Sequence, residues 1–275
     1  MIIDAHQHFW QLSRGDYDWL TPELTELYRD FMPTDFAPQL RENKVEGTIL
    51  VQAAPTFAET EFLLDIADNT PFVLGVVGWV DFESTAAPVQ IAQLAKHPKL
   101  VGLRPMIQDI PDDDWMLRPD ITPAFEAMIA ADLTFDALVL PKHLSNLRKL
   151  LGRHPRLRTV IDHGAKPGIA NKAFEVWASE IAIIAQESTA YCKLSGLLTE
   201  AGTNWTYSDV APYVAHLLDC FGSERLVWGS DWPVVTLAAS FKAWLDMATE
   251  FIPKGREMEA IFGSNAFNLY KLAKR

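Results

Sequence analysis

Eight short runs rich in Val, Ile and Leu recur along the chain, at 2–5, 47–53, 72–79, 100–103, 134–140, 158–162, 190–194 and 226–229. Most of them lack the alternation of apolar and polar residues that a half-exposed strand needs. Strands with that composition are covered on both faces, as parallel strands between layers are. Helical patterns fill the intervals, at 60–68, 89–96, 123–131, 146–152, 171–187, 208–221 and 238–251. Leu144, Leu147 and Leu151, and later Phe174, Trp177, Ile181 and Ile184, repeat every three or four residues, which gives each helix an apolar stripe for a sheet. His97-Pro98 and His154-Pro155 close helices, because a residue before proline is driven out of the helical region. Eight strand–helix repeats predict an α/β fold, a (β/α)8 barrel of the TIM type, spanning 1–275 as one domain. An open doubly wound sheet would carry a glycine-rich phosphate turn after an early strand, and none follows Ile3 or Leu50. The long segment 9–41, with Trp10, Tyr17, Trp19, Tyr28 and Phe31, reads as an insertion after the first strand that could wall or cover the barrel mouth.

Composition narrows the partners. The 36 acidic side chains outnumber 24 basic ones, for a formal charge of -12. That field repels nucleic-acid phosphates and anionic lipid, so neither is an expected partner. Cys192 and Cys220 are too few for a disulfide scaffold and read as reduced, buried thiols. The first strand begins at residue 2, with no room for a signal peptide, and no apolar run is long enough to cross a bilayer. Cytoplasmic residence is expected, and a homo-oligomer is compatible with the sequence.

In a parallel barrel every strand delivers its C-terminal end to one rim, where residues distant in sequence converge. Those positions hold His6 and His8, Gln52, Trp79, Arg104, Asp162 and His163, Lys193 and Ser195, and Ser230 and Asp231. So many polar groups against apolar strand bodies point to chemistry. His6 and His8 are spaced i, i+2, which in an extended segment keeps both rings on one face. Asp231, after the apolar Leu226-Val227-Trp228, is the candidate general base toward water, although Asp is also a favoured helix cap. His163 can ligate a metal or donate to an oxyanion. Arg104, fixed by Pro105, can grip a carbonyl or hydroxyls, or can pair with Asp231 or Glu59. Trp10, Trp115, Trp205 and Trp232, with Gln52 and Lys193, are candidate substrate contacts. Asp162 alternates away from His163 and reads as a supporting partner. Asp112-Asp113-Asp114 reads as a solvated loop.

The motifs His6-Gln7-His8, Val51-Gln52-Ala53, Gly102-Leu103-Arg104, Ile161-Asp162-His163 and Trp228-Gly229-Ser230-Asp231-Trp232-Pro233 together resemble the amidohydrolase superfamily. More narrowly they resemble its sugar-lactonase branch, which includes L-fuconolactonases and L-rhamnonolactonases. The resemblance covers nearly the whole chain and implies hydrolysis at the C-terminal rim of a barrel. It places His6, His8, His163 and Asp231 around a divalent ion in metal-dependent relatives. Arg104 stands where a carboxylated lysine would be needed, and no histidine ends the fifth strand, so the expectation is one ion, Zn2+ first, or none. The expected substrate is a small lactone. Three alternatives remain at this point: a lactonase for an aromatic-derived dicarboxylate of the 2-pyrone-4,6-dicarboxylate type, a metal-dependent decarboxylase, and a noncatalytic binding barrel.

Overall fold

A computed structural model describes residues 1–272. The eight expected strands form one parallel sheet in the order of the sequence: β1 (Ile2–Gln7), β2 (Val45–Val51), β3 (Val73–Gly78), β4 (Leu100–Leu103), β5 (Thr134–Ala137), β6 (Thr159–Ile161), β7 (Tyr191–Leu194) and β8 (Leu226–Trp228). Just past β8 the sheet meets β1. Asp231 N donates to His6 O at 2.8 Å and His8 N to Trp232 O at 2.7 Å, so the barrel closes through the residues that follow the strand.

Two packed layers hold the barrel. Inside it, Ile3, Ala5, Ile49, Val51, Val77, Val101, Val160 and Val227 fill the interior, and Leu269 and Tyr270 join them from the C-terminal end of the chain. Outside, the opposite faces of the strands (Leu50, Val76, Leu103, Phe135, Ile161, Leu194, Trp228) pack on the helices. Both faces are therefore buried, which accounts for the missing alternation.

The helices are α1 (Pro33–Glu42), α2 (Phe57–Asp68), α3 (Ala87–Leu94), α4 (Thr122–Ala130), α5 (Leu144–Arg153), α6 (Glu175–Glu187), α7 (Leu197–Ala201), α8 (Tyr207–Phe221), α9 (Phe241–Phe251), α10 (Arg256–Glu259) and α11 (Asn265–Leu269). Segment 9–41 carries most of α1, so it is not a pure insertion. Proline at the first helical position starts α1, and the Asp35 carboxylate accepts the Met32 N–H at its start. The helix expected from 171 starts only at Glu175, because Lys172 has a left-handed backbone and Gly168 pairs with Ala173. The helix expected from 238 starts at Phe241, where Ser240 accepts the Ala243 N–H. Cys192 and Cys220 are free thiols, the first buried and the second half-buried. Among the described residues no helix is long and apolar enough to cross a membrane.

Candidate active site

The closure of the barrel builds the site. Its hydrogen bonds set the backbone of Asp231 against that of His6 and His8. Asp4 reinforces the seam, accepting from Ser230 N at 2.8 Å and from Ser230 Oγ at 2.5 Å. Gly229 allows the strands this close, since a Cβ there would lie 2.6 Å from His6 Cβ. The register of β1 against β2 slips between Asp4 and Gln7, and His6 turns inward above Ile3 and Ala5.

The four residues expected to meet do meet. His6 Nε2 lies 3.2 Å from His8 Nε2 and 3.6 Å from Asp231 Oδ1, and His8 Nε2 lies 3.3 Å from the same oxygen. The ring of His163 comes within 4.4 Å of the His6 ring, centroid to centroid. His8 Nδ1 donates to Val51 O at 2.8 Å, and His163 Nδ1 faces Ser195 Oγ at 2.9 Å. Gly196 leaves room for the His163 ring, because a Cβ there would come 2.5 Å from Nδ1.

Beneath this layer lies a buried ionic one. Lys193 Nζ contacts Asp136 Oδ2 at 2.5 Å, Asp162 Oδ1 at 2.9 Å and His6 Nδ1 at 3.2 Å. Arg104 Nη1 approaches Asp162 Oδ2 and His6 Nε2, each at 3.4 Å, while Nη2 donates to the backbone and side-chain oxygens of Gln52. Arg104 therefore pairs with Asp162, not with Asp231 or Glu59. Two cations against two carboxylates make this layer internally balanced, which is how charge survives burial.

Protonation follows from burial and neighbours. Burial lowers His163 to about 4, with Lys166 and Arg104 pushing the same way against Asp231 and Asp162. Burial and the Lys193 ammonium hold His6 well below the ordinary imidazole range. Burial alone would raise Asp231; the imidazoles of His163, His8 and His6 outweigh it and hold the carboxylate well below its usual range. At neutral pH Asp231 is an anion beside neutral His6 and His163.

A cavity of about 280 Å3 opens above Asp231, His8, His163 and Arg104, with Trp19, Met106 and Leu138 among its walls. Gln108, Lys166 and Glu200 also line it, none of them singled out from sequence. Lys166 Nζ donates to Gln108 Oε1 at 2.9 Å and lies 3.5 Å from Glu200 Oε1. His163, Gly164, Ala165 and Lys166 all have left-handed backbones, a costly run that aims His163 and Lys166 into the same space. The glycine after His163 was the available signal for that turn. Nothing in the sequence singles out Glu200, on α7.

The other expected contacts do not line this cavity. Gln52 and Lys193 are fully buried in the layer below. Trp10 donates to Arg29 O, Trp115 to Glu83 and Trp205 to Ala238 O, while Trp232 stacks on Phe36 with centroids 4.3 Å apart. Each secures a loop. Asp113 pairs with Lys142 and His143 at the surface, as a solvated acidic loop would.

The donor set also fits one metal ion. Ligand atoms of His6, His163 and Asp231 lie within 4.8 Å of one another, two nitrogens and one oxygen of the kind Zn2+ accepts, with His8 alongside. Among the described residues this is the one group of three such donors close enough together to hold an ion.

A parallel eight-stranded barrel with imidazoles and one anionic carboxylate converging at its C-terminal mouth is the architecture of a hydrolase that activates water. The chain belongs to the amidohydrolase family, whose model matches residues 3–272. It is 48% identical to an L-fucono-1,5-lactonase of Burkholderia ambifaria, over 98% of this chain and 95% of that protein. A second L-fucono-1,5-lactonase, from Burkholderia multivorans, is 32% identical over 98% and 96%. A crystal structure of an amidohydrolase from Burkholderia multivorans with bound zinc superposes with a TM-score of 0.93 at 31% identity, covering 99% of this chain and all of that one.

Proposed function

We propose that this chain hydrolyses a sugar 1,5-lactone of the L-fuconolactone class to its open hydroxy acid. One observation carries the reading: 48% identity, end to end, with a protein of that activity. The charges of the cavity support it. Among the described residues Arg104 and Lys166 are its lysine and arginine cations, and each already faces a carboxylate. Arg14 pairs with Asp16, and Arg118 with Asp120 and Glu83, outside the cavity. A dicarboxylate would find little uncompensated positive charge, whereas a neutral polyhydroxy lactone would find matched donors and acceptors.

In the proposed reaction the Asp231 carboxylate takes a proton from water as the water oxygen attacks the lactone carbonyl carbon. His6, His163 and Arg104 stabilise the oxyanion that forms. Collapse of this intermediate breaks the bond from the carbonyl carbon to the ring oxygen, and protonated Asp231 returns its proton to that oxygen. The carboxylic acid released then ionises. His8 orients Asp231 through the 3.3 Å contact. Lys166, Glu200 and Gln108 bind ring hydroxyls. One divalent ion held by His6, His163 and Asp231, when bound, would supply further polarisation of the carbonyl.

The test is acid release from a panel of aldono-1,5-lactones against 2-pyrone-4,6-dicarboxylate, with the spontaneous rate subtracted. Turnover of L-fucono-1,5-lactone with kcat/KM of about 10⁴ M⁻¹s⁻¹ or more is expected, and none of the dicarboxylate. No release above background from any aldonolactone refutes the reading.

A further inference from the structure

Next to the catalytic cavity lies a second one, of about 410 Å3, that the reaction above does not use. The two share Trp19, Met106 and Asp109 in their linings, so they adjoin at the barrel mouth. Most of its remaining walls come from the segments after β3 and β4, with Trp79 and Asp81 on one side and Ile110 and Trp115 on another, and Asp18 and Pro55 add to them from the segments after β1 and β2.

The aromatic walls are held in place. Trp19 is 36% exposed, and its indole N–H is anchored on Ala53 O at 2.7 Å. Trp79 is half-buried, with its backbone N–H and C=O both bonded to Thr60 Oγ1 of α2 at 2.8 and 2.9 Å. Among the described residues its indole N–H has no partner, and it is not sealed from solvent; the same is true of the exposed Asp18 carboxylate. Among the described residues no lysine, arginine or histidine lines the space, while Asp18, Asp81, Glu83 and Asp109 do. Flat indole faces, a free N–H and free carboxylate oxygens suit a ring that shows C–H on its faces and O–H at its edges. The carboxylates turn away an anion.

We propose that this groove is a subsite for a neutral sugar residue attached to the lactone, so that the protein accepts glycosylated aldonolactones as well as single rings. The proposal rests on the lactonase reading and adds a second binding position to it. Adjacency to the catalytic cavity across Trp19 commits the occupant to something covalently joined to the lactone.

The experiment compares the monosaccharide 1,5-lactone hydrolysed fastest with the same ring bearing a neutral hexosyl group, on each hydroxyl in turn, and with its uronosyl counterpart. At least one hexosyl lactone is expected to show a KM equal to or below that of the single ring, and the uronosyl form a KM at least tenfold higher. Trp79→Ala is expected to raise KM for that hexosyl lactone about tenfold, a loss typical of one stacking face. The same variant leaves kcat/KM for the single ring within twofold. If every hexosyl lactone is rejected while the single ring turns over, the subsite is refuted and the lactonase reading stands. An equal effect of Trp79→Ala on both substrates refutes it as well. Failure of the single ring itself refutes the lactonase reading.

Discussion

Asp231 Oδ1 lies 3.3 Å from His8 Nε2, and the chain segments carrying the two residues are hydrogen-bonded to each other across the seam of the barrel. The catalytic carboxylate is thus positioned by the same bonds that close the sheet. Activity and closure share one piece of structure, and perturbing the seam reaches the chemistry without replacing any catalytic side chain.

Gly229 offers such a perturbation. A methyl group there would meet His6 Cβ at 2.6 Å and His6 N at 3.0 Å, so His6 must shift. Displacements approaching 1 Å in a catalytic constellation cost about a hundredfold. Gly229→Ala is therefore expected to lower kcat/KM by one to two orders of magnitude, with KM changed less than kcat. Steady-state kinetics on an aldono-1,5-lactone, beside a thermal melt to establish folding, checks this; a folded variant with unaltered turnover contradicts it.

Lys166 should separate binding from catalysis. Its ammonium lies between Gln108 and Glu200 over the cavity, and no step of the proposed reaction needs its proton. Lys166→Met is expected to raise KM for the lactone by about 10- to 100-fold, as loss of a hydrogen bond from a charged group worth about 1.5–3 kcal/mol would, while kcat falls less than threefold. A variant that loses kcat and keeps KM would instead make Lys166 a participant in the chemical step.

Glu59 gives the fold a dependence on pH. Its carboxylate accepts from Ala53 N and Ala54 N, which fixes the loop after β2 beside Trp19 and His8. Burial raises it from 4.5 to about 7 in spite of those bonds. Because the folded form holds the proton more tightly than the unfolded chain, this contribution to stability is complete below pH 4.5. It is lost as pH rises toward and through 7. Denaturant unfolding of the protein and of Glu59→Gln at pH 5 and pH 8 checks the sign. The Gln variant should gain on the wild type at pH 8 relative to pH 5, and a difference that is constant with pH would overturn the assignment.

Much of this was readable from the chain because a parallel barrel turns strand ends into neighbours. His6, His8, His163 and Asp231 each follow an apolar run, and the fold brings them together. Lys193 occupies an equivalent position, yet Asp136 on β5 and Asp162 just past β6 draw its ammonium below the site. Pairing across a barrel interior leaves no local mark in a sequence. Two of the rim tryptophans lie away from the catalytic cavity for a related reason: an indole N–H seeks a carbonyl, and Trp10 and Trp205 find theirs in loops, while Trp115 lines the adjoining cavity. Lys166 became visible only through the left-handed turn after His163, and Glu200 through a short helix that presents it to the same space.

The decisive measurement is the single-turnover rate of Asp231→Asn on L-fucono-1,5-lactone, followed by acid release. The amide keeps the size of the side chain but cannot accept a proton from water. Loss of a general base predicts a rate lower by about 10²–10⁴, with substrate affinity within a few-fold of wild type. A folded Asp231→Asn protein that opens the lactone at close to the wild-type rate would contradict the account at its centre.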